Sequence, residues 1–396
     1  MTAPSGEESE LERCVGDTRS FLRDHWASWP LRREGGRPFD DLLSLADVDH
    51  LLTGASLRLP AFRLVKDGAT LPTSGYTKSG RTGSQPVSGM ADPPRILERF
   101  REGATIVLQG MHRYWPPLAR FCRGLEAALS HPAQVNAYVT PPGSRGLAVH
   151  QDSHDVFVLQ AFGEKRWDVW APRALGEPMP GPREDPVLSA TLAPGDAMYL
   201  PVGTPHAAST QSVLSGHLTV GILSTTWAQL VGEVMKGLSD APAFREPLPA
   251  GFHRDPEGFA AAVKDRLGEV ARWLDSVDAQ AGADRRIRSF LTTRLPLLGG
   301  GLVDAARLDE IGPDTPVRRR DGSFCELRVE GERLVAFLGD RELRMPLGLE
   351  AAMRFVAAAA PGSAFSGNDL PGLADQESAA VLVRRLVREG LLGLAG

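Results

Sequence analysis

The sequence predicts a mainly β protein, with a small antiparallel barrel or sandwich in the middle of the chain, helices on both sides of it and a compact α+β unit at the end. Three observations predict this class. From Gln134 to about Thr226, short β-rich runs such as "QVNAYVT", "DVFVLQA" and "GHLTVGILS" alternate with Gly and Pro turns. From Trp227 onwards, "WAQLVGEVMKGL" and "DPEGFAAAVKDRLGEVARWLDSVD" are amphipathic helical patterns. The last hundred residues mix strand-like and helical segments.

The length and composition are those of an ordinary globular chain. The 396 residues are enough for two or three domains, each with its own core. The hydrophobic fraction is 42% and the charged fraction is 23%. A net charge of −5 gives no reason to expect a nucleic-acid partner for the chain as a whole. No apolar run approaches the ~20 residues of a membrane helix, so we expect no membrane partner.

The first residues and the cysteines bear on location. The opening "MTAPSGEESELERCVG" is acidic and lacks the basic-then-apolar order of a signal peptide. Cys14, Cys122 and Cys325 are odd in number and far apart, which favours reduced, structural thiols over disulfides or a zinc knuckle. We therefore expect a cytoplasmic protein.

Before the barrel, the sequence predicts helices, strands and one long loop. "FDDLLSLADVDHLL" has a helical pattern, and "FRLVKDG" is strand-like. From Thr70 to Pro94 the residues are mainly Gly, Ser, Thr and Pro, which predicts an exposed loop. "PRILERFREGATIVLQGM" predicts a helix leading into a strand, and "PPLARFCRGLEAALS" predicts a helix that begins at its two prolines.

The segment "HQDSH" places His150, Asp152 and His154 two residues apart in what we predict to be a β-strand. Side chains at i and i+2 of a strand point to one face, so an imidazole nitrogen and a carboxylate would face a common point. His206, in "GDAMYLPVGTPH", offers a third ligand after a turn that Pro and Gly predict. Two His and one carboxylate form the facial triad of non-haem Fe(II) oxygenases, which leaves three positions open. For His150 and Asp152 alone, a hydrogen-bonded pair explains the pattern equally well.

These residues resemble known motifs. The segment from Gly195 to His206 resembles the second cupin motif, Gly-x5-Pro-x-Gly-x2-His, although the usual later Asn is absent and Thr210 lies near its place. The first cupin motif carries His-x-His, and here "HQD" has Asp152 instead of the second His, as in the 2-oxoglutarate-dependent JmjC oxygenases. The longer stretch "NAYVTPPGSRGLAVHQD" is similar to the ribosomal-oxygenase branch of the JmjC family, whose members hydroxylate His or Arg side chains of ribosomal proteins.

The resemblance implies a fold and an assembly. The core would be a double-stranded β-helix of the JmjC/cupin type, with flanking helices and a C-terminal α+β, winged-helix-like domain. The implied units are an N-terminal α/β region at 1–95, the oxygenase core at 96–227, a helical dimerisation region at 228–292 and the C-terminal domain at 293–396. The helices of the third unit carry apolar stripes that a small barrel cannot fully cover, so we expect a homodimer.

The resemblance also implies the cofactors. Fe(II) would be held by His150, Asp152 and His206, with 2-oxoglutarate and O2 as cosubstrates. Lys165, in "FGEKRW", falls where the family places a basic residue on the distal carboxylate of 2-oxoglutarate. A dicarboxylate in a low-dielectric barrel needs such a partner. The alternative for Lys165 is a solvated turn lysine.

Further positions are assigned in the same way. Asn136, His217 and Thr219 match family positions that line the cosubstrate pocket. His154 matches no ligand position, which favours a place on the surface or in the substrate pocket. We interpret two aromatic residues, Trp167 and Trp170, as barrel packing.

The function implied is hydroxylation of a protein side chain, with a ribosomal His or Arg as the favoured target. The segment "AASTQSVLSG" after His206 looks shorter than in close relatives, which keeps open a hydroxylase of a biosynthetic peptide or natural product. A non-catalytic metal-binding cupin and a zinc hydrolase are further alternatives, since two His and a carboxylate also suit catalytic zinc.

Basic residues near the end of the chain raise the question of nucleic acid. "RRRDG" begins at Arg318, and Arg384, Arg385 and Arg388 stand on the last predicted helix. A DNA-binding winged helix would use such residues, but a solvated helix face explains them as well. With a net negative charge we do not expect a nucleic-acid partner.

Overall fold

A computed structural model describes residues 9–144, 148–181, 183–210, 212–360 and 362–395 of the chain. Helices dominate both flanks of a central β region. Their bounds are α1 (Glu10–Val15), α2 (Thr18–Asp24), α3 (Leu45–Thr53), α4 (Pro93–Arg101), α5 (Pro116–Leu129), α6 (Trp227–Met235), α7 (Pro242–Arg245), α8 (Pro256–Asp275), α9 (Ala279–Thr292), α10 (Gly301–Ala306), α11 (Glu350–Ala358) and α12 (Gln376–Arg388).

Strands supply the centre and part of the C-terminal unit. Those before and within the central region are β1 (Leu31–Arg33), β2 (Phe62–Lys66), β3 (Ala69–Thr70), β4 (Thr77–Thr82), β5 (Gln85–Ala91), β6 (Thr105–Leu108), β7 (Ala133–Thr140), β8 (Asp155–Phe162), β9 (Lys165–Val169), β10 (Leu188–Leu192), β11 (Ala197–Leu200), β12 (His206–Thr210) and β13 (Ser215–Ile222). Those near the end are β14 (Val317–Arg319), β15 (Glu326–Glu330), β16 (Arg333–Phe337), β17 (Glu342–Pro346), β18 (Ala364–Phe365) and β19 (Leu392–Leu394).

Two antiparallel sheets form the centre, as the sequence predicts. The larger has eight strands in the order β1-β11-β8-β13-β7-β6-β2-β3, and the smaller has three in the order β10-β9-β12. An apolar layer between them includes Val156, Val158, Trp167 and Met198. The sheets therefore close on each other as a flattened barrel, the architecture expected of a cupin-type core.

The two faces of the large sheet meet different environments, because successive side chains of a strand point to opposite faces. On β13, Leu218, Val220 and Ile222 join the main hydrophobic cluster, which the N-terminal helices cover. The alternate residues His217 and Thr219 face the opposite side, toward the small sheet. The same alternation explains why polar residues occur in these strands between residues that are apolar and buried.

The N-terminal region shares its core with the barrel. Leu11, Phe21 and Phe39 belong to the same hydrophobic cluster as the apolar face of the large sheet. Strands β1, β2 and β3 are members of that sheet. Because one hydrophobic cluster spans both regions, the described parts of the N-terminal region and the barrel share a single core. Among the described residues, Cys14, Cys122 and Cys325 form no disulfide.

The prediction of a loop from Thr70 to Pro94 is wrong for most of that segment. Strands β4 and β5 pair as an antiparallel hairpin, with Thr82 opposite Gln85. Gly83 opens the two-residue turn with φ +58°, a conformation that glycine adopts without strain. The hairpin escapes a hydrophobicity search because its strands are largely exposed. Tyr76, fully buried against Phe62, anchors its base.

The helical region after the barrel carries much apolar surface. None of the described residues of α6 or α8 is buried. Trp227 is 82% exposed and Leu267 is 63% exposed. In the part of the chain that the structure describes, no helix is long and apolar enough to cross a membrane.

The last hundred residues form an α+β unit with its own core, as predicted. Strands β15, β16 and β17 make an antiparallel meander, and β18, β14 and β19 make a second small sheet. Val317, Leu334, Met353 and Leu386 are among the buried residues of its hydrophobic cluster. Two arginine contacts join this unit to α5 of the barrel region: Arg123 donates to the carbonyl of Leu295, and Arg294 pairs with Glu126.

Candidate metal centre

His150 and His206 are held opposite each other by a pair of backbone hydrogen bonds. The His150 amide donates to the His206 carbonyl at 3.1 Å, and the His206 amide donates to the His150 carbonyl at 2.9 Å. The two imidazole rings lie 4.3 Å apart between centroids. This bridge corrects one expectation: His150 forms an isolated β-bridge and Asp152 lies in no strand, because regular pairing begins only at Asp155.

Asp152 is fixed by the turn that precedes His206. Its carbonyl accepts a hydrogen bond from the Gly203 amide at 3.1 Å. Gly203 has φ +76°, and a Cβ there would collide with the carbonyl of Arg173. The glycine of the "PVGTPH" segment is therefore required by close packing as well as by backbone conformation. This turn carries Asp152 to His206, where its Oδ2 lies 3.8 Å from Nε2 of the histidine.

The hydrogen bonds of both rings leave one nitrogen available. Nδ1 of His150 lies 2.8 Å from the carbonyl of Ala148, and Nδ1 of His206 lies 2.9 Å from the carbonyl of Thr204. A carbonyl oxygen can only accept, so each Nδ1 carries the proton and each Nε2 presents a lone pair. Metal-ligating histidines are oriented in this way by their outer nitrogen.

The three side chains form a set that suits a divalent metal. One ligand atom from each of His150, Asp152 and His206 lies within 4.8 Å of the others. Burial, together with the neighbouring His150 ring, holds the pKa of His206 well below its usual range. The ring is therefore neutral at physiological pH, as ligation requires. The predicted convergence of the three residues is what the structure shows.

A cavity between the two sheets adjoins this set. It is lined by Val65, Thr105, Val107, Tyr138, His150, Asp152, Val156, Val158, Lys165, Trp167, His206, Ala208, His217 and Thr219. About half of these side chains are apolar, four of them valines, and the others are polar or charged. A cavity of this composition is typical of a small-molecule site.

Lys165 projects into the cavity and is almost completely buried, with 2% of its surface exposed. Its Nζ donates to the hydroxyl of Thr140 at 3.1 Å, and that hydroxyl lies 3.1 Å from the hydroxyl of Thr105. Among the described residues no carboxylate pairs with it. Burial lowers the pKa of Lys165 to about 7. The solvated turn lysine is excluded, and an anion entering the cavity would find a buried cation without a counter-charge.

Two further polar atoms in the cavity wall have no partner among the described residues. They are Nδ1 of His217 and Nε1 of Trp167, both buried. Complete burial, with Lys165 and His206 nearby, lowers the pKa of His217 well below its usual range. Neutral His217 stacks on Tyr138 at 5.0 Å and meets Trp167 edge-on at 5.3 Å. Buried polar atoms left in this state are ready to bond a ligand.

The remaining predicted residues divide into two groups. Thr219 lines the cavity as expected. Asn136 lies outside its lining, and its Oδ1 accepts a hydrogen bond from the Gly110 amide at 2.9 Å. The imidazole of His154 lies against Gly221 of β13, so close that no Cβ could fit between them. His154 belongs neither to the metal set nor to the cavity wall.

Sequence reasoning missed three polar residues in or next to the cavity. Thr105 and Tyr138 line it, and the Thr140 hydroxyl contacts Lys165. Strand pairing brings them there, since β6 neighbours β7 and β7 neighbours β13. Their alternation with buried aliphatic residues was the available signal. Trp167 packs in the barrel as expected, but it also lines the cavity.

Comparison with known proteins agrees with this geometry. Residues 110–230 match the model of the JmjC domain family. The chain is 27% identical over 303 residues to ribosomal oxygenase 1 of Gallus gallus, covering 70% of this chain and 49% of that protein. It is 26% identical over 292 residues to the bifunctional lysine-specific demethylase and histidyl-hydroxylase NO66 of Dictyostelium discoideum, covering 67% of this chain and 55% of that protein. The chain thus spans about half the length of the curated relatives it matches.

Solved structures agree in fold. The superposition on the ribosomal oxygenase YcfD of Escherichia coli covers 96% of this chain and 99% of the YcfD chain, with a TM-score of 0.54 and 15% identity. A YcfD structure in complex with cobalt and 2-oxoglutarate gives a TM-score of 0.54 at 16% identity, covering 96% of this chain and 98% of its own. The predicted JmjC/cupin core is confirmed.

The metal set is tested by removing one ligand at a time. His206→Ala and Asp152→Ala are each expected to weaken Fe(II) binding by at least about tenfold, because two ligands do not complete a facial site. Isothermal titration under anaerobic conditions measures this affinity. His154→Ala serves as the matched control and should bind Fe(II) like the unaltered chain. Loss of Fe(II) in the His154 variant together with its retention in the His206 variant would contradict the assignment.

Proposed function

We propose that this chain, whose residues 110–230 match the JmjC domain family, is an Fe(II)- and 2-oxoglutarate-dependent oxygenase that hydroxylates a protein side chain. The observation that carries the proposal is the pairing of a two-His, one-carboxylate set with a buried, uncompensated lysine in one cavity. A facial triad leaves three coordination positions open, enough for a chelating 2-oxo acid and O2. When bound, these groups would couple the decarboxylation of 2-oxoglutarate to succinate with insertion of oxygen into a C–H bond.

The chain's own residues would supply binding and orientation. His150, Asp152 and His206 would hold the metal, with one negative charge among them, so the centre keeps a net positive charge that attracts the 2-oxo acid end of the cosubstrate. Lys165 would bond the distal carboxylate, and Thr140 already contacts its ammonium. The apolar walls, with Val156 among them, would exclude water.

Lys165 also discriminates among the alternatives. A structural metal in a non-catalytic cupin, or a zinc ion that activates water, needs three ligands but no buried ammonium. Keeping such a group inside the barrel costs several kcal/mol unless an anion compensates it. The lysine therefore favours a site that receives a dicarboxylate.

The target class rests on likeness to relatives. The curated relatives are named for ribosomal oxygenation and histidyl hydroxylation, and the solved YcfD structures are titled ribosomal oxygenase. By that likeness we propose a ribosomal protein as the substrate, with a His or Arg side chain as the modified group. A cytoplasmic location belongs to the same proposal.

The unit boundaries at 95, 227 and 292 remain predictions. We propose that residues 293–396 are winged-helix-like. In support, α10, α11 and α12 pack around a small sheet in which β14 lies between β18 and β19. The meander of β15, β16 and β17 adds to that core.

The role of Lys165 predicts a pH dependence of cosubstrate binding. Because its pKa is lowered to about 7, the lysine is charged below pH 7 and neutral above it in the free protein. Only the charged form pairs with a carboxylate. The dissociation constant of 2-oxoglutarate should thus be flat below pH 7 and rise about tenfold per pH unit above it. Titration calorimetry on the Mn(II)-loaded protein between about pH 6 and 9 measures it.

Two variants control this measurement. Lys165→Met should bind 2-oxoglutarate weakly and lose the rise above pH 7. Lys264→Met, on exposed α8, should behave like the unaltered chain. An unchanged pH profile in Lys165→Met would show that another group binds the distal carboxylate.

The substrate proposal is tested by mass spectrometry. Ribosomal proteins from the same source, incubated with enzyme, Fe(II), 2-oxoglutarate and O2, should gain one oxygen on a His or Arg. The Asp152→Ala variant, which lacks a ligand, should leave them unchanged. Oxidation of a small peptide or metabolite, with every ribosomal protein unmodified, would refute the ribosomal target and favour the biosynthetic alternative.

The exposed apolar helices support a homodimer, and this too is a proposal. Light scattering at micromolar concentration should give twice the chain mass. Val231→Glu, on α6, should shift the protein toward monomer because it places a charge on an apolar face that is otherwise open. Val329→Glu, on β15, is the matched control, since Val231 is 51% exposed and Val329 is 49% exposed. A monomeric unaltered chain would refute the proposal.

A further inference from the structure

A second cleft lies between the barrel and the C-terminal unit, with a volume of about 570 Å³. One wall is the segment from His112 to Arg120, which follows β6 and enters α5. The other wall is formed by the linker from Leu295 to Gly300 and by residues of α10 and β14. The cavity of the candidate metal centre shares none of these lining residues.

The cleft concentrates positive charge in a chain whose net charge is −5. Its lining contains more arginines than aspartates: Arg113, Arg120, Arg307, Arg318 and Arg320 against Asp304 and Asp321. Asp304 and Arg320 are both buried and pair with each other, so they neutralise one another. Arg307 pairs with Glu310, so the other three arginines face one acidic lining side chain, Asp321.

Three of these arginines are uncommitted. Arg113, Arg120 and Arg318 are exposed and form no ion pair with any residue that the structure describes. Other arginines of the C-terminal unit are engaged in structure: Arg319 donates to the carbonyl of Ala357, and Arg385 pairs with Glu389. Arg113, Arg120 and Arg318 thus lie in one cleft without ion pairs, whereas Arg319 and Arg385 support the fold.

The barrel wall of the cleft adds aromatic surface. Nε1 of Trp115 donates to the carbonyl of Leu42 at 2.8 Å, and the hydroxyl of Tyr114 lies 3.5 Å from the carbonyl of Ala61. Both polar ends bond carbonyls of the N-terminal region, and both rings pack against the main hydrophobic cluster, so the rings that line the cleft have fixed positions. On the facing linker, Leu295 and Leu298 are half exposed.

We propose that this cleft binds single-stranded RNA. Arginine forks recognise phosphate in a bidentate manner, and aromatic side chains stack on bases without regard to sequence. Unpaired arginines beside fixed aromatic rings are what such a ligand requires. An acidic peptide would use the arginines but not the rings, and a duplex would not enter a concave cleft between two units. The sequence-based expectation of no nucleic-acid partner rested on net charge. It considered Arg318 in "RRRDG", but the sequence does not show that Arg318 lies beside Arg113 and Arg120.

The test is fluorescence anisotropy with a labelled oligouridylate about ten nucleotides long. The 396-residue chain should bind it saturably. The double variant Arg120→Ala/Arg318→Ala should lose tenfold or more in affinity, and the slope of log affinity against log salt should fall by about one to two. Arg333→Ala, an exposed arginine of β16 without an ion pair in the described residues, is the matched control and should bind normally.

Two further arms separate nucleic acid from simple charge. Tyr114→Leu should weaken binding of the oligouridylate but leave binding of inorganic polyphosphate unchanged. A polyglutamate peptide of equal charge should compete poorly. The proposal is overturned if the unaltered chain does not bind RNA, if Arg333→Ala loses as much affinity as the double variant, or if polyglutamate competes as well as RNA. No arm needs iron or 2-oxoglutarate, so the outcome is independent of the oxygenase activity.

Discussion

The pair of backbone hydrogen bonds between His150 and His206 is the constraint on which the candidate site depends. It joins the segment before β8 to the first residue of β12. Strand β12 pairs with β9, where Thr210 stands opposite Lys165 and His206 stands opposite Val169. The register that positions the histidines therefore also fixes where along β9 the lysine enters the barrel. His206 and Lys165 belong to one hydrogen-bonded sheet, and the isolated bridge joins His150 to its edge, so the register fixes their relative positions.

Strand alternation explains how a barrel core can tolerate this polarity. The faces of β7, β8 and β13 that meet the helices are apolar apart from Asp155 at the start of β8, and they provide the main core. Their opposite faces line the cavity. Polar groups on those faces do not contact the main hydrophobic cluster and therefore do not weaken its packing. Stability and chemistry are thus assigned to different sides of the same strands. The cost appears as unpartnered atoms on His217 and Trp167, which a cosubstrate would satisfy.

The limits of sequence reasoning follow the range of the interactions. His150, Asp152 and His206 were found because short motifs preserve their spacing, and the likeness to a family located Lys165. Thr140 and Thr105 contact each other only through the pairing of distant strands, which local spacing does not reveal. The hairpin of β4 and β5 was missed because its strands bury little, although the Gly83 turn was visible. The strand assigned to "HQD" failed because one backbone bridge gives the same convergence without regular pairing.

The cavity and the cleft are joined through one short piece of chain. Strand β6 contributes Thr105 and Val107 to the cavity, and the residues that follow it, from His112 onwards, form a wall of the cleft. Asn136 fixes the start of that connection by accepting a hydrogen bond from the Gly110 amide. This contact gives Asn136 a positioning role that a search for pocket-lining residues does not suggest. An RNA strand bound at Tyr114 would contact a segment that directly follows the strand in the cavity wall. The same rigid connection that holds the cosubstrate pocket would thereby hold a nucleic acid near it.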